Sequence, residues 1–360
     1  MANQKGGGAS QGFGGVVGDY SYDANGLTGT WESRGSNNKP GCWEMTELDS
    51  LDNTVWAMTC GHYGGNQFIW KGSLSGDDFK MVSHKLLTRY TMVGFTKGAG
   101  HRLIVNTEAG KVYYTDNDGA NWLSPTGIGQ DIQSVIIDRV NSNKIYATNG
   151  QTVYVSTNEG QSFSPIKDFG SISIARLYSI RYGNQPGAGN VYLNRNGSFY
   201  KFNGSNDFNL QGSFTWCNND KVSIGGDTRA LYVACNRNWY RSTNEGVSWS
   251  TKSPTGYYYN EVNGLMNHGH HLGVHPGDPN IVIGGYATPV LSKDGLNSTI
   301  YHYSGWGHYQ GGAGSVALQD QYTREMFHPD FQGSQFFYDK NGQVVSLRSF
   351  DGGVFKSYKE

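Results

Sequence analysis

Asn143 to Phe163 reads NKIYATNGQTVYVSTNEGQSF: a short apolar stretch, an Asn-Gly turn, a second apolar stretch, then a polar turn ending in an aromatic residue. Within it Val153 and Val155 alternate with Thr152, Tyr154 and Ser156, the period of two that marks a strand. Arg229 to Trp249, RALYVACNRNWYRSTNEGVSW, repeats the grammar with an identical STNEG, and His101 to Trp122, HRLIVNTEAGKVYYTDNDGANW, is a third copy. Asn280 to Gly295 and Ser334 to Gly353 are fourth and fifth copies, and degenerate versions begin at Thr54 and Asn190.

The turn glycines or their equivalents, Gly76, Gly119, Gly160, Gly204, Gly246, Gly295 and Gly352, recur every 41 to 57 residues. A further β-rich segment precedes several copies, as in DIQSVIIDRV from Asp131 and SISIARLYSIRY from Ser171. Each unit therefore holds about four short strands. Four-stranded units at this period predict one all-β domain, a β-propeller of antiparallel blades, with seven blades expected and six or eight as alternatives. The expected organisation is an N-terminal arm over 1–18, rich in Gly and Ser, and a propeller over 19–360. Residues 19–40 either close the ring beside the last blade or precede the first, and SYDANGLTGTW, Ser21 to Trp31, favours closure.

Composition agrees. The chain has 360 residues, 52 Gly, 24 Tyr, 9 Trp and a net charge of −1, with 16% charged residues. So few, balanced charges argue against a nucleic-acid partner, which needs clustered Lys and Arg. No apolar run approaches the roughly 20 residues of a membrane span, and no signal peptide is visible at the first residues. Cys42 and Cys60 are 18 apart, as are Cys217 and Cys235. Bridges between neighbouring strands and reduced buried thiols both fit that spacing.

Ser156-Thr157-Asn158-Glu159-Gly160-Gln161-Ser162-Phe163 and Ser242-Thr243-Asn244-Glu245-Gly246-Val247-Ser248-Trp249 resemble the Asp-box, the S-x-D-x-G-x-T-W repeat (BNR repeat) of the sialidase-like propeller superfamily, with Asn in the Asp position. Thr115 to Trp122 matches with Asn117, Gly119 and Trp122; Asp294 and Asp351 stand in partial copies. The family includes sialidases, xyloglucanases and sortilin-type propellers. The resemblance implies that Asn117, Asn158, Asn244, Asp294 and Asp351, with Gly119, Gly160 and Gly246 and the aromatics Trp122, Phe163 and Trp249, staple the fold. A short Asx side chain accepts backbone N–H bonds inside its own turn. The resemblance also places the ligand site on the face opposite these turns.

Three long connections are expected on that face: 60–66, 253–271 and 303–322. They carry His62, Tyr63, Tyr257, Tyr258, Tyr259, Trp306, His308 and Tyr309, aromatic area and uncharged hydrogen-bonding groups that suit a glycan or a protein partner. Glu261, Asp320 and Glu325 are the acids within or beside them, and Glu261 with Asp320 or Glu325 is the candidate pair for a glycoside hydrolase or lyase. The arginine motif of sialidases is absent, although Arg89, Arg176 and Arg324 lie near the starts of first strands. His268 and His270 are weak metal candidates on one strand face. His275 to Asn280 and His328-Pro329-Asp330 read as turn devices before second strands. The expectation is a non-catalytic recognition or structural propeller with no cofactor, on a virion (phage tail or capsid decoration) or another extracellular assembly, its arm docked on a neighbouring subunit. The alternative is a glycosidase or lyase acting on polysaccharide.

Overall fold

A computed structural model describes residues 20–21, 30–33, 43–49, 52–59, 69–74, 80–82, 90–95, 102–107, 109–181, 189–213, 223–226, 230–235, 238–252, 272–285, 289–298, 300–301, 331–350 and 353–357. Their strands pair antiparallel in sheets that follow one another along the chain. Sheet A is Trp43–Asp49, Thr54–Thr59, Ile69–Ser73 and Lys80–Met81. Sheet B is Tyr90–Phe95, Leu103–Thr107 and Val112–Thr115, extended by a bridge from Tyr114 to Leu123. Sheet C is Ser134–Ile137, Ile145–Thr148, Thr152–Ser156 and Ser164–Asp168; sheet D is Ala175–Arg181, Gly189–Arg195, Ser198–Phe202 and Phe208–Ser213. Sheet E is Ser223–Gly226, Leu231–Cys235, Asn238–Ser242 and Ser250–Lys252; sheet F is Gly273–Val274, Val282–Gly285, Pro289–Ser292 and Ile300–Tyr301. Sheet G is Phe331–Tyr338, Val344–Phe350 and Gly353–Ser357, with Thr30–Ser33 beside the last of these and Tyr20–Ser21 outermost.

The first strand of each sheet lies against the first strand of the next, from A round to G, and that of G lies against that of A. The sheets therefore radiate from a common centre: the molecule is an all-β propeller of four-stranded antiparallel blades. Among the described residues no helix is long and apolar enough to cross a membrane.

The core fills the gaps between sheets. Ile145 and Ala147 point toward sheet B, where they meet Ile104 and Val112. Tyr146, between them, points the other way and meets Ala175, Leu177 and Val191 of sheet D. A strand buried on both faces reads as continuous apolar sequence, as in IYAT and LIVNT. Leu48, Val55 and Trp70 of sheet A pack on Phe337, Val345 and Leu347 of sheet G, so the first and last sheets of the chain share a core.

The strand order corrects parts of the sequence reading. Asn341-Gly342 joins the first and second strands of sheet G, whereas Asn149-Gly150 joins the second and third of sheet C. The same dipeptide turn thus opens at opposite ends of two sheets. Asp351 and Gly352 lie outside the described residues, but the strands flanking them, Val344–Phe350 and Gly353–Ser357, are the second and third of their sheet. The other repeat turns join third strands to fourth, so SFDGG does not share their register. A Ser-x-Asp-Gly string resembles them locally, and strand order alone separates the cases. His328-Pro329-Asp330 precedes a first strand. His275 does precede a second strand, and its Nδ1 accepts the N–H groups of Gly277 (3.0 Å) and Asp278 (3.1 Å), a turn device.

Candidate functional site

The connections that enter first strands and leave second strands open at one end of every sheet. The chain leaves sheet E at Lys252 and enters sheet F at Gly273, and leaves F at Tyr301 and enters G at Phe331. It leaves the second strand of sheet A at Thr59 and enters the third at Ile69. Antiparallel order puts these strand ends on the same face, opposite the third-to-fourth turns. The side chains predicted to bind there, His62, Tyr63, Tyr257, Tyr258, Tyr259, Trp306, His308 and Tyr309, lie outside the described residues. So do Glu261, Asp320, Glu325, His268, His270, Cys42, Cys60 and Cys217.

On the opposite face, among the described residues, four turns share one design. In sheet C the Ser156 hydroxyl donates to Asn158 Oδ1 (2.8 Å) and accepts the Gly160 N–H (2.8 Å). Asn158 Oδ1 also accepts the Ser162 N–H (3.0 Å), and its Nδ2 donates to the Ser162 hydroxyl (2.9 Å). In sheet E, Ser242, Asn244, Gly246 and Ser248 repeat every one of these bonds. In sheet B, Thr115, Asn117, Gly119 and Asn121 repeat the hydroxyl and backbone bonds. Sheet F carries the Asp version: Asp294 accepts the Ser292 hydroxyl (2.9 Å), the Ser298 N–H (2.9 Å) and the Ser298 hydroxyl (2.6 Å). A serine hydroxyl can accept from an amide or donate to a carboxylate, which is why both Asx residues fit.

Two positions depart from the sequence expectation. The slot occupied by Gly160 and Gly246 in sheets C and E holds Leu296 in sheet F: its N–H reaches the Ser292 hydroxyl at 2.8 Å, its φ is +67°, and it is buried. Gly295 has moved into the preceding slot, occupied elsewhere by Asp118, Glu159 and Glu245, which share a left-handed φ. A bulky residue with positive φ is a backbone outlier held by its surroundings. Gly246 needs its missing side chain for a second reason, since a Cβ would run into the Phe199 ring of sheet D. Of the terminal aromatics, Phe163 is buried, while Trp122 and Trp249 are half-buried. Trp249 meets Phe199 edge-on at 5.6 Å and its Nε1 donates to the Gly246 carbonyl (3.0 Å).

The sequence reading missed how each turn is tied to the preceding sheet. Lys71 pairs with Asp118 (2.9 Å) and Lys201 with Glu245 (2.6 Å). Arg102 binds Asp116 with two nitrogens and reaches the Glu159 carbonyl of the next turn at 2.8 Å. Arg241 donates to Asn280 Oδ1 (3.0 Å) beside Gly295. The signal was present as an acid before the glycine in three turns and a cation on third strands Ile69–Ser73, Ser198–Phe202 and Asn238–Ser242. In each turn the Ser or Thr hydroxyl and the Asx side-chain oxygen are bonded within the turn itself.

Among the described residues, a second cluster lies where the first strands line the ring's centre. Arg139, just past the first strand of sheet C, donates from Nη2 to Glu47 Oε1 of sheet A (3.0 Å) and to Gln335 Oε1 of sheet G (2.5 Å). Its backbone N–H donates to the Ser179 hydroxyl of sheet D (2.8 Å), and its guanidinium lies 5.7 Å from the Phe337 ring centre. Glu47 is 7% exposed. Burial pushes its carboxyl above the usual range; Arg139 and Gln335 pull the other way without overcoming it. One arginine thus joins four first strands near the end of the ring that carries the turns. Arg176, expected near the start of a first strand, lies in Ala175–Arg181. Among the described residues no three His, Cys, Asp or Glu side chains gather as a metal site.

No protein-family model matches the chain. Over 182 residues, 45% of its length, it is 30% identical to a xyloglucanase of Paenibacillus sp. That match covers 17% of the xyloglucanase, so the chain spans less than a fifth of the relative's length. Among solved structures it is similar to YCF48 bound to D1 peptide, with a TM-score of 0.57 and 12% identity over 95% of this chain and 99% of that one. YCF48 from Cyanidioschyzon merolae gives a TM-score of 0.56 at 12% identity, covering 91% and 98%. These likenesses establish the fold, a β-propeller.

Proposed function

We propose that this chain is a recognition propeller that binds a glycan or protein partner through the face opposite its repeat turns. The observation that carries this is topological: the strand ends that flank 60–68, 253–271 and 302–330 lie on one face, and the sequence between them is rich in Tyr, Trp and His. Long connections on a rigid ring are where binding usually resides. That a structural neighbour, YCF48, is seen with a peptide supports a protein partner. The turns are read as Asp-boxes with a stapling role. The ring is read as seven-bladed, with 19–40 closing it, which the pairing of Thr30–Ser33 with Gly353–Ser357 supports. The arm over 1–18 is read as docking on a neighbouring subunit. A virion or other extracellular setting is read from the Gly-rich arm, the few acids and the neutral aromatic connections.

The second reading is a glycoside hydrolase or lyase acting on polysaccharide; the match to the Paenibacillus xyloglucanase favours the hydrolase. Glu261, Asp320 and Glu325 are its candidate acids. Two measurements separate the readings. A panel of immobilised polysaccharides and candidate proteins is scored for binding by the chain and by Trp306→Ala/Tyr309→Ala; recognition predicts binding lost with the fold intact. Xyloglucan is then incubated with the chain and scored for new reducing ends. Turnover abolished by Glu261→Gln, Asp320→Asn or Glu325→Gln establishes the hydrolase and sinks the non-catalytic reading.

A further inference from the structure

Away from the loop face, the outer part of sheet D carries a cleft of about 400 Å³ lined by Asn190, Lys201, Phe202, Asn203, Asn209 and Gln211. Strand register explains the lining. Lys201 lies directly opposite Tyr192 and Asn209, so Lys201 and Asn209 share the face turned toward sheet E, where Lys201 meets Glu245; Asn190, two residues before Tyr192, is on that face too, and Gln211 sits at the bulge of the last strand. The turn 203–207 closes one end: Asn203 Oδ1 accepts the N–H groups of Ser205, Asn206 and Asp207.

The polar groups divide into committed and uncommitted. Lys201 Nζ is paired with Glu245 at 2.6 Å. Gln211 Nε2 reaches the Asn209 carbonyl at 3.3 Å. Among the described residues the Asn209 side-chain amide, Asn203 Nδ2 and Gln211 Oε1 have no hydrogen-bond partner. The cleft thus offers both donors and acceptors, has no carboxylate in its lining, and has a cation already neutralised by its neighbour. An anion would need an unpaired cation, and an apolar ligand would need more than the one aromatic, Phe202. Hydroxyl groups, which donate and accept at once, match uncommitted amides. The volume is near the lower end of ligand pockets, roughly 300 to 1,000 Å³.

We infer that this cleft is a secondary site for one or two units of a neutral saccharide. It stands apart from the loop face, so it neither needs nor decides the reading proposed above.

The test uses the full chain, ¹⁵N-labelled, with side-chain amide signals followed by NMR during titration with cellobiose and, separately, with inorganic phosphate. The expected result is a saturable shift of the Asn209 and Gln211 amide signals with cellobiose and none with phosphate. Asn209→Ala and Gln211→Ala, made singly, should each weaken cellobiose binding up to about tenfold, the loss of one or two hydrogen bonds. Asn209 is exposed, so that variant should keep its melting temperature, and Trp306→Ala should leave the shifts unchanged. Shifts that grow without saturating, saturation by phosphate instead, or undiminished binding in both variants would overturn the inference.

Discussion

Asp294, in the turn after Pro289–Ser292, and Glu47, in the first strand of sheet A, are both hydrogen-bonded carboxylates, yet their surroundings push them in opposite directions. Burial raises the Asp294 carboxyl somewhat, but bonds from the Ser298 hydroxyl and N–H, the Ser292 hydroxyl and the Asn297 N–H hold it below its usual range. Glu47 is enclosed, and one guanidinium with one amide does not make up for the lost water. The rim turn satisfies its charge locally, within five residues of chain. The centre relies on partners 92 and 196 residues from Arg139. Local closure can be copied from blade to blade, whereas the junction at Arg139 depends on four sheets meeting.

The largest effect should come from breaking the rim's apolar end. Phe163→Ala removes a buried ring wedged against sheet B, and chemical denaturation should show a loss of about 4 kcal/mol. A loss below about 1 kcal/mol would mean that the turn aromatics are ornaments to the core.

Breaking the centre comes next. Arg139→Ala leaves Glu47 enclosed without its cation, and such a change costs about 3 kcal/mol. Combining it with Glu47→Gln should recover much of that loss. If the double variant is as unstable as the single, the cluster acts through packing and not through charge.

Asn158→Ala removes the acceptor of two turn bonds and the donor of a third, for an expected loss of about 2 kcal/mol. Asn244→Asp, by contrast, should be nearly neutral at pH 7, because the Asp294 turn shows how a serine hydroxyl reverses its role. A large loss in Asn244→Asp would break the equivalence of the turns.

The smallest effects are pH slopes of opposite sign. A carboxyl held low, as in Asp294, contributes stability that is present above its unfolded value near 3.8 and is lost as pH falls through its folded value. A carboxyl held high, as in Glu47, does the reverse: stability declines as pH rises from 4.5 toward its folded value, because ionisation is then disfavoured in the fold. Asp294→Asn should therefore flatten the acid limb of a stability profile, and Glu47→Gln the decline above it. The contrast fails if both variants move the same limb.

The repeat turns were legible because everything they need lies within eight residues. Ser156 to Phe163 contains its own donors, acceptor, left-handed glycine and aromatic plug, and the same holds for Ser242 to Trp249. From such turns at a steady period the propeller follows, since a sheet with one exposed edge and two apolar faces must stack on its neighbours. The limits of that reading are equally local. SFDGG in sheet G has the turn's letters but sits between other strands, and SKDGL in sheet F has the turn's bonds with Leu296 where the glycine was expected. A short string cannot say which end of a sheet it will occupy, because that depends on strand order.

What the sequence determined by itself was the repeating unit, and with it the all-β fold. The tertiary structure decided which cation on one sheet meets which acid on the next. It also decided that a lone arginine after Ile137 would close on Glu47 and Gln335, and that the amides of sheet D would gather around one cleft. The physical reason is range. Backbone turns and apolar alternation are set by neighbours in the chain, whereas charge pairing and clefts depend on groups that only closure of the ring brings within a few ångströms.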